Sequence, residues 1–126
     1  MSTSRRAARR TALFLLYQWD VTGQPLASLY EGEVDEFARA TAERVTERTE
    51  ALDARITAAA EGWTADRLGA VERNVLRIAL SELEDDVVPA EVAIDEAVRL
   101  AKRYASDDAA RLVNGILGRI QRERVA

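Results

Sequence analysis

The chain has 126 residues and a mass of 14.0 kDa, the size of one ordinary domain with room for its own core. It contains no cysteine and no histidine, which removes disulfides, thiolate nucleophiles, imidazole bases and most zinc or iron ligand sets together. Its net charge of −4 comes from 18 basic and 22 acidic residues, but Arg5, Arg6, Arg9 and Arg10 crowd the first ten positions, and without these four the chain stands at 14 against 22, or −8.

The first predicted helix takes Ser4 as its N-cap, carries Ala8, Ala12, Leu15, Leu16 and Trp19 at helical spacing, and stops near Gly23. Phe14 and Tyr17 widen its apolar stripe, to be covered either by the rest of the chain or by a second copy in a homodimer. Gln24 and Pro25 form the first break, and Leu26 to Tyr30 is an ambiguous segment before Gly32. From Asp35 to about Ala60 the positions Phe37, Ala38, Thr41, Val45, Leu52, Ile56 and Ala59 recur every three or four residues, interrupted only by Arg48; this is one long helix or two stacked ones. Glu61-Gly62-Trp63-Thr64 reads as a stop and a new start. The next helix carries Leu68, Val71, Val75, Ile78, Ala79 and Leu83 and ends before Asp85-Asp86. Pro89 suits a first helical turn, and Val92, Ala93, Ala97, Leu100 and Ala101 continue toward Tyr104. Ser106 with Asp107 and Asp108 starts the last helix, which buries Leu112, Val113, Ile116, Leu117 and Ile120 and ends on Arg122 and Arg124, with the charge order its dipole favours. With only two prolines, six glycines and no alternating runs, the chain reads as an all-α compact bundle of five to seven helices without internal repeats.

The basic-then-apolar order of the N-terminus also suits a secretory signal or an arginine-rich transit peptide. The apolar run is at the short limit, ends on Gln18, Trp19 and Asp20 and has no small-residue cleavage site, so an amphipathic helix is the better reading. No uninterrupted apolar segment approaches the ~18 residues needed to cross a bilayer, so no membrane role is expected. A cysteine-free chain is compatible with the reducing cytoplasm.

No acidic residue precedes Asp20, and the four arginines fall on neighbouring faces over two turns. Their planar guanidinium groups are placed to fan around a phosphate backbone, pairing bidentately with phosphate and stacking on bases, while the apolar side stays docked. A solvated helix end is the alternative, but positive charge opposes the dipole at an N-terminus, so the cluster favours an external anion. With so few phosphates engaged, binding through charge alone is modest and salt-dependent, and a second partner helps. Replacing the four arginines by alanine is expected to weaken polyanion binding and flatten its salt dependence while leaving thermal stability nearly unchanged. Trp19 belongs to the core; Tyr17, with its polar tip, suits core or base stacking equally. Gly115 inside a patterned helix, at a cost of roughly 1 kcal/mol against alanine, implies close approach of another helix, with Asn114 capping or bridging a neighbouring turn. The acid pairs Asp85-Asp86 and Asp107-Asp108 sit at turns, where carboxylates cap and solubilise. There is no glycine-rich phosphate loop, no GxSxG turn and no metal-spaced ligand set, so the chain reads as a non-enzyme that needs no cofactor and no metal.

Several blocks together resemble the NusB transcription antitermination family: Arg5 to Arg9 followed by Leu16-Tyr17-Gln18-Trp19, the stretch from Val71 to Leu83, the stretch from Val88 to Lys102, and Arg111 to Leu117. The likeness spans almost the whole chain in the right order. It implies one all-helical domain over residues 1–126, about six to seven helices in two small sub-bundles packed together. It also implies binding to the single-stranded boxA element of ribosomal RNA leader transcripts, jointly with the ribosomal protein NusE, within an RNA polymerase elongation complex. By this resemblance Arg5, Arg6, Arg9 and Arg10 face RNA, Asp108 matches an RNA-contacting position with Tyr104 and Leu112 beside it, and Tyr17 and Glu72 match the NusE-facing surface. The chain departs from the family pattern in a shorter Gly23 to Asp35 segment and in Tyr104-Ala105-Ser106-Asp107 where a phenylalanine-glycine turn is more usual. Two rival readings are the RNA-binding domain that precedes the catalytic domain of ribosomal RNA cytosine methyltransferases, disfavoured because the sequence ends at Ala126, and a helical adaptor that binds only protein through its acidic surface.

Overall fold

In the computed structural model, which describes residues 4–125, the caps predicted at Ser4, Gly23 and Ser106 bound the first and last helices. The Ser4 hydroxyl accepts a hydrogen bond from the Ala7 amide at 3.1 Å and opens α1 (Arg5–Thr22), which closes on Gly23 at φ 73°, a left-handed conformation that glycine adopts without a Cβ penalty. The Asp35 carboxylate accepts from the Ala38 amide at 3.1 Å and opens α2 (Glu36–Ala59), a single helix of 24 residues. Then follow α3 (Ala70–Glu84), α4 (Ala90–Tyr104), entered from Pro89, and α5 (Asp107–Val125), whose Ala109 amide donates to the Ser106 hydroxyl at 3.0 Å. The count of six to seven helices is corrected to five α-helices. Leu26–Leu29 and Ala65–Arg67 form only 3-10 turns, because segments of four and three residues cannot repay the cost of nucleating an α-helix.

All ten residues from Asn74 to Leu83 of α3 are buried, so the helix is surrounded rather than half-exposed. On one side α1 and α2 pack against it and on the other α4 and α5, so the two expected sub-bundles share α3 as a common member, and α2 also meets α5. The buried apolar residues form one cluster drawn from all five helices, including Leu16, Leu52, Leu76, Leu80, Leu100 and Leu117. No described helix is long and apolar enough to cross a membrane.

Polar side chains fasten this core. The Arg77 guanidinium donates two bonds of 2.7 Å to Asp53 on α2, and it reaches Asp20 on α1 at 3.1 Å. Arg73 and Asn74 also donate to Asp20, at 2.8 and 2.9 Å, so three residues of α3 converge on one carboxylate. Burial alone raises the Asp20 pKa, but the hydrogen bonds from Arg73 and Asn74 and the charges of Arg77 and Arg73 outweigh it and hold the carboxyl below its ordinary range. Trp19 packs against the core as expected, half-buried, with the Arg77 guanidinium 5.8 Å from its ring centroid. Gly115 does not mark a close approach of helices: a Cβ there meets nothing within 4 Å, and Asn114 beside it is exposed.

Candidate nucleic-acid interface

The four N-terminal arginines do not fan outward together. Arg9 is only 4 % exposed and forms a bidentate pair with the buried Glu82 of α3, with nitrogen–oxygen distances of 2.6 and 2.9 Å. Position 9 lies four residues before Leu13 and seven before Leu16, on the stripe that faces the core, so this cation is carried inside and needs a buried carboxylate. That periodicity is visible in the sequence. Arg6 points to α4, where it donates to Glu96 at 2.9 Å, and these hydrogen bonds hold the Glu96 carboxyl below the usual range. Arg5 lies over the ring of Phe37 on α2, 4.9 Å from its centroid, and stays exposed. Arg10 is exposed and pairs with no carboxylate among the described residues.

The contacts set the directions of the helices around this end. Arg9 meets Glu82 while Asp20 meets Arg73 and Asn74, so α1 and α3 are antiparallel. Arg6 meets Glu96 while Phe14 meets Tyr104, so α1 and α4 run parallel. Arg6, Arg10 and Phe14, spaced by four, therefore line the edge of α1 that borders α4, where Arg99, Lys102 and Arg103 are exposed. Six cations of the chain pair with no carboxylate among the described residues: Arg5, Arg10, Arg67, Lys102, Arg103 and Arg122. Four of the six sit on the N-terminal half of α1 or the last turn of α4, so uncompensated positive charge is gathered there on an otherwise acidic molecule.

Tyr104, half-buried at the end of α4, meets Phe14 edge to face with ring centroids 5.1 Å apart, and the Arg103 guanidinium lies 5.7 Å from its ring centroid. Asp108 is exposed in the first turn of α5 and paired with Arg111. One turn on, Leu112 lines a separate groove of about 460 Å³ between the end of α2 and α5, together with Trp63, Arg111, Gly115 and Arg119. The structure thus sets Arg6, Arg10 and Tyr104 along the shared border of α1 and α4, turns Arg5 onto Phe37 of α2, and sets Leu112 in a separate groove. Phe14, Arg99, Arg103 and Trp63 were missed by sequence reasoning. The spacing of Phe14 from Arg6 and Arg10 was a readable signal, whereas the pairing of α1 with α4 was not.

Tyr17 is 43 % exposed on the outer face of α1, in a stripe with Phe14 and Val21, so the bundle itself covers only part of the wide apolar surface of this helix. Glu72, in the first turn of α3, folds its carboxylate back over Gly69 and occupies the space a Cβ there would need. The antiparallel register of α1 and α3 puts Glu72 near the C-terminal end of α1, roughly one turn beyond Tyr17.

Residues 6–122 match the model of the NusB family. The chain is similar to the transcription antitermination protein NusB of Rubrobacter xylanophilus, 44 % identical over 121 residues that cover 90 % of this chain and 87 % of the relative. Its fold is similar to that of T. maritima NusB, with a TM-score of 0.86 and 35 % identity over 98 % of this chain and 94 % of the other. It is also similar to a chain in a crystal structure of the antitermination factors NusB and NusE in complex with double-stranded RNA, with a TM-score of 0.82 and 29 % identity over 94 % and 96 % of the two chains.

Proposed function

Because the chain belongs to the NusB family, we propose that it is a transcription antitermination protein that binds the boxA element of ribosomal RNA leader transcripts together with NusE, within an RNA polymerase elongation complex. It works by binding and not by catalysis, as a single domain acting on nascent transcripts in the cytoplasm. The observation that carries this reading is the set of cations paired with no carboxylate among the described residues on the N-terminal half of α1 (Arg5, Arg10) and the last turn of α4 (Lys102, Arg103), with the Arg103 guanidinium 5.7 Å from the Tyr104 ring centroid. Cations without internal partners release counterions when phosphates replace solvent, and an aromatic ring among them offers a face to an unstacked base.

In this arrangement Arg5, Arg6 and Arg10 contact the RNA backbone, Tyr104 stacks, and Asp108 accepts hydrogen bonds from base amino groups one turn before Leu112. Arg9 holds the tip of α1 in place through Glu82 and meets no phosphate. Tyr17 and Glu72 form the surface for NusE.

The reading is tested by titrating the protein with single-stranded boxA RNA, a scrambled strand of equal length and a duplex, each with and without NusE. Tighter binding of boxA that NusE strengthens is the expected result. Equal weak binding to all three, unaffected by NusE, defeats the proposal. Tyr17→Ala and Glu72→Ala are each expected to weaken capture of NusE without changing RNA binding in its absence, and parent-like capture by either variant removes that residue from the interface.

A further inference from the structure

Phe14 carries no role in the reading above. It is 46 % exposed midway along α1, and it borders two surfaces of opposite charge. Toward α4 stand Arg10, Lys102 and Arg103. On its other side is a groove of about 350 Å³ between α1 and the segment leading into α2, lined by Phe14, Leu15, Leu29 and Val34 and by the carboxylates of Glu31 and Glu33. A polyanion is drawn to the first surface and repelled by the second, so its phosphates stay on the α4 side and only an uncharged part reaches the ring at the border. Phe14 meets Tyr104 edge to face and still keeps nearly half of its surface open, so the ring has apolar surface left for a third ring. The Arg103 guanidinium beside Tyr104 adds a planar cation to the same platform.

We propose that Phe14, backed by Tyr104 and Arg103, is a stacking platform for one unpaired base of the RNA strand bound along the basic edges of α1 and α4. The platform rests on the RNA-binding reading above and adds to it a base contact on α1 itself. It also places the strand: the path runs between the two helices and turns away at Glu31 and Glu33.

The experiment compares the full chain with Phe14→Leu, Phe14→Ala and Phe14→Tyr by fluorescence anisotropy with single-stranded boxA RNA over a salt series, with NusE capture measured in parallel. Loss of one stacked base weakens binding about tenfold, so Phe14→Leu and Phe14→Ala are expected to bind that much less tightly with an unchanged salt slope, since stacking releases no counterion. Phe14→Tyr, which restores a ring, binds within about twofold of the parent. Melting curves check that the variants fold, and the leucine variant keeps the apolar contacts if the alanine variant does not. If the parent binds boxA and both non-aromatic variants bind it equally well, the platform is wrong and the RNA reading stands. If RNA binding is kept but NusE capture is lost, Phe14 is a protein contact and the platform is overturned. If the parent binds no RNA, both fail together.

Discussion

Arg9→Ala separates the structural account of the N-terminal arginines from the view that all four are surface cations. The side chain is 4 % exposed and its partner Glu82 is 1 % exposed, so truncation strands a carboxylate in the core between α1 and α3. Breaking a buried ion pair by removing one partner costs about 3–5 kcal/mol, because the remaining charge keeps its desolvation penalty and loses its compensation. For a domain of this size each kcal/mol lowers the melting temperature by about 3–6 °C, so the variant is expected to melt roughly 10–30 °C below the parent. The assay is thermal unfolding followed by circular dichroism at neutral pH, with Arg10→Ala as the control; that change touches no internal partner and stays within about 0.5 kcal/mol. The double variant Arg9→Met, Glu82→Leu removes both charges and is expected to recover most of the loss. An Arg9→Ala protein melting within about 3 °C of the parent refutes the reasoning. By the same argument, exchanging all four arginines for alanine destabilises the protein, contrary to the expectation from sequence, and the cause is position 9 alone.

Arg10→Ala is expected to lower the slope of log affinity for RNA against log salt by about one, with no change in melting; an unchanged slope places Arg10 outside the phosphate path. Glu96→Gln releases Arg6 from its ion pair and is expected to tighten RNA binding a few-fold at low salt, an effect that disappears at high salt; equal affinity at all salt concentrations shows that Arg6 does not reach phosphate. Asp20 gives a pH signature. Its folded pKa is depressed, so the stability it contributes is complete above the ordinary carboxylate pKa of about 3.9 and is lost as pH falls through the lower folded value. Denaturant unfolding from about pH 5 to about pH 3 is expected to show the parent losing more stability than Asp20→Asn, and parallel losses in the two proteins exclude this coupling.

Helix identity and most helix ends were legible in the sequence because they depend on local chemistry. Ser4, Asp35 and Ser106 each satisfy amides within three residues, and the apolar spacing in α2, α4 and α5 reports which side turns inward whatever the partner is. Gly23 stops α1 for an equally local reason. The segregation of charge was legible too, since it is a property of composition along the chain.

What the tertiary structure decided is which charges are available. Arg73, Asn74, Arg77 and Glu82 lie in a helix that reads as amphipathic from spacing alone, yet they are enclosed, because α1 and α2 bring Asp20, Asp53 and Arg9 to meet them. The same pairing across distant parts of the chain withdraws Arg9 from the surface, ties Arg6 to Glu96 and sets Phe14 against Tyr104. A cap or a stripe is chosen by neighbours three or four residues away, whereas the fate of a charged side chain depends on whether a partner 24 to 90 residues distant arrives to offset its desolvation.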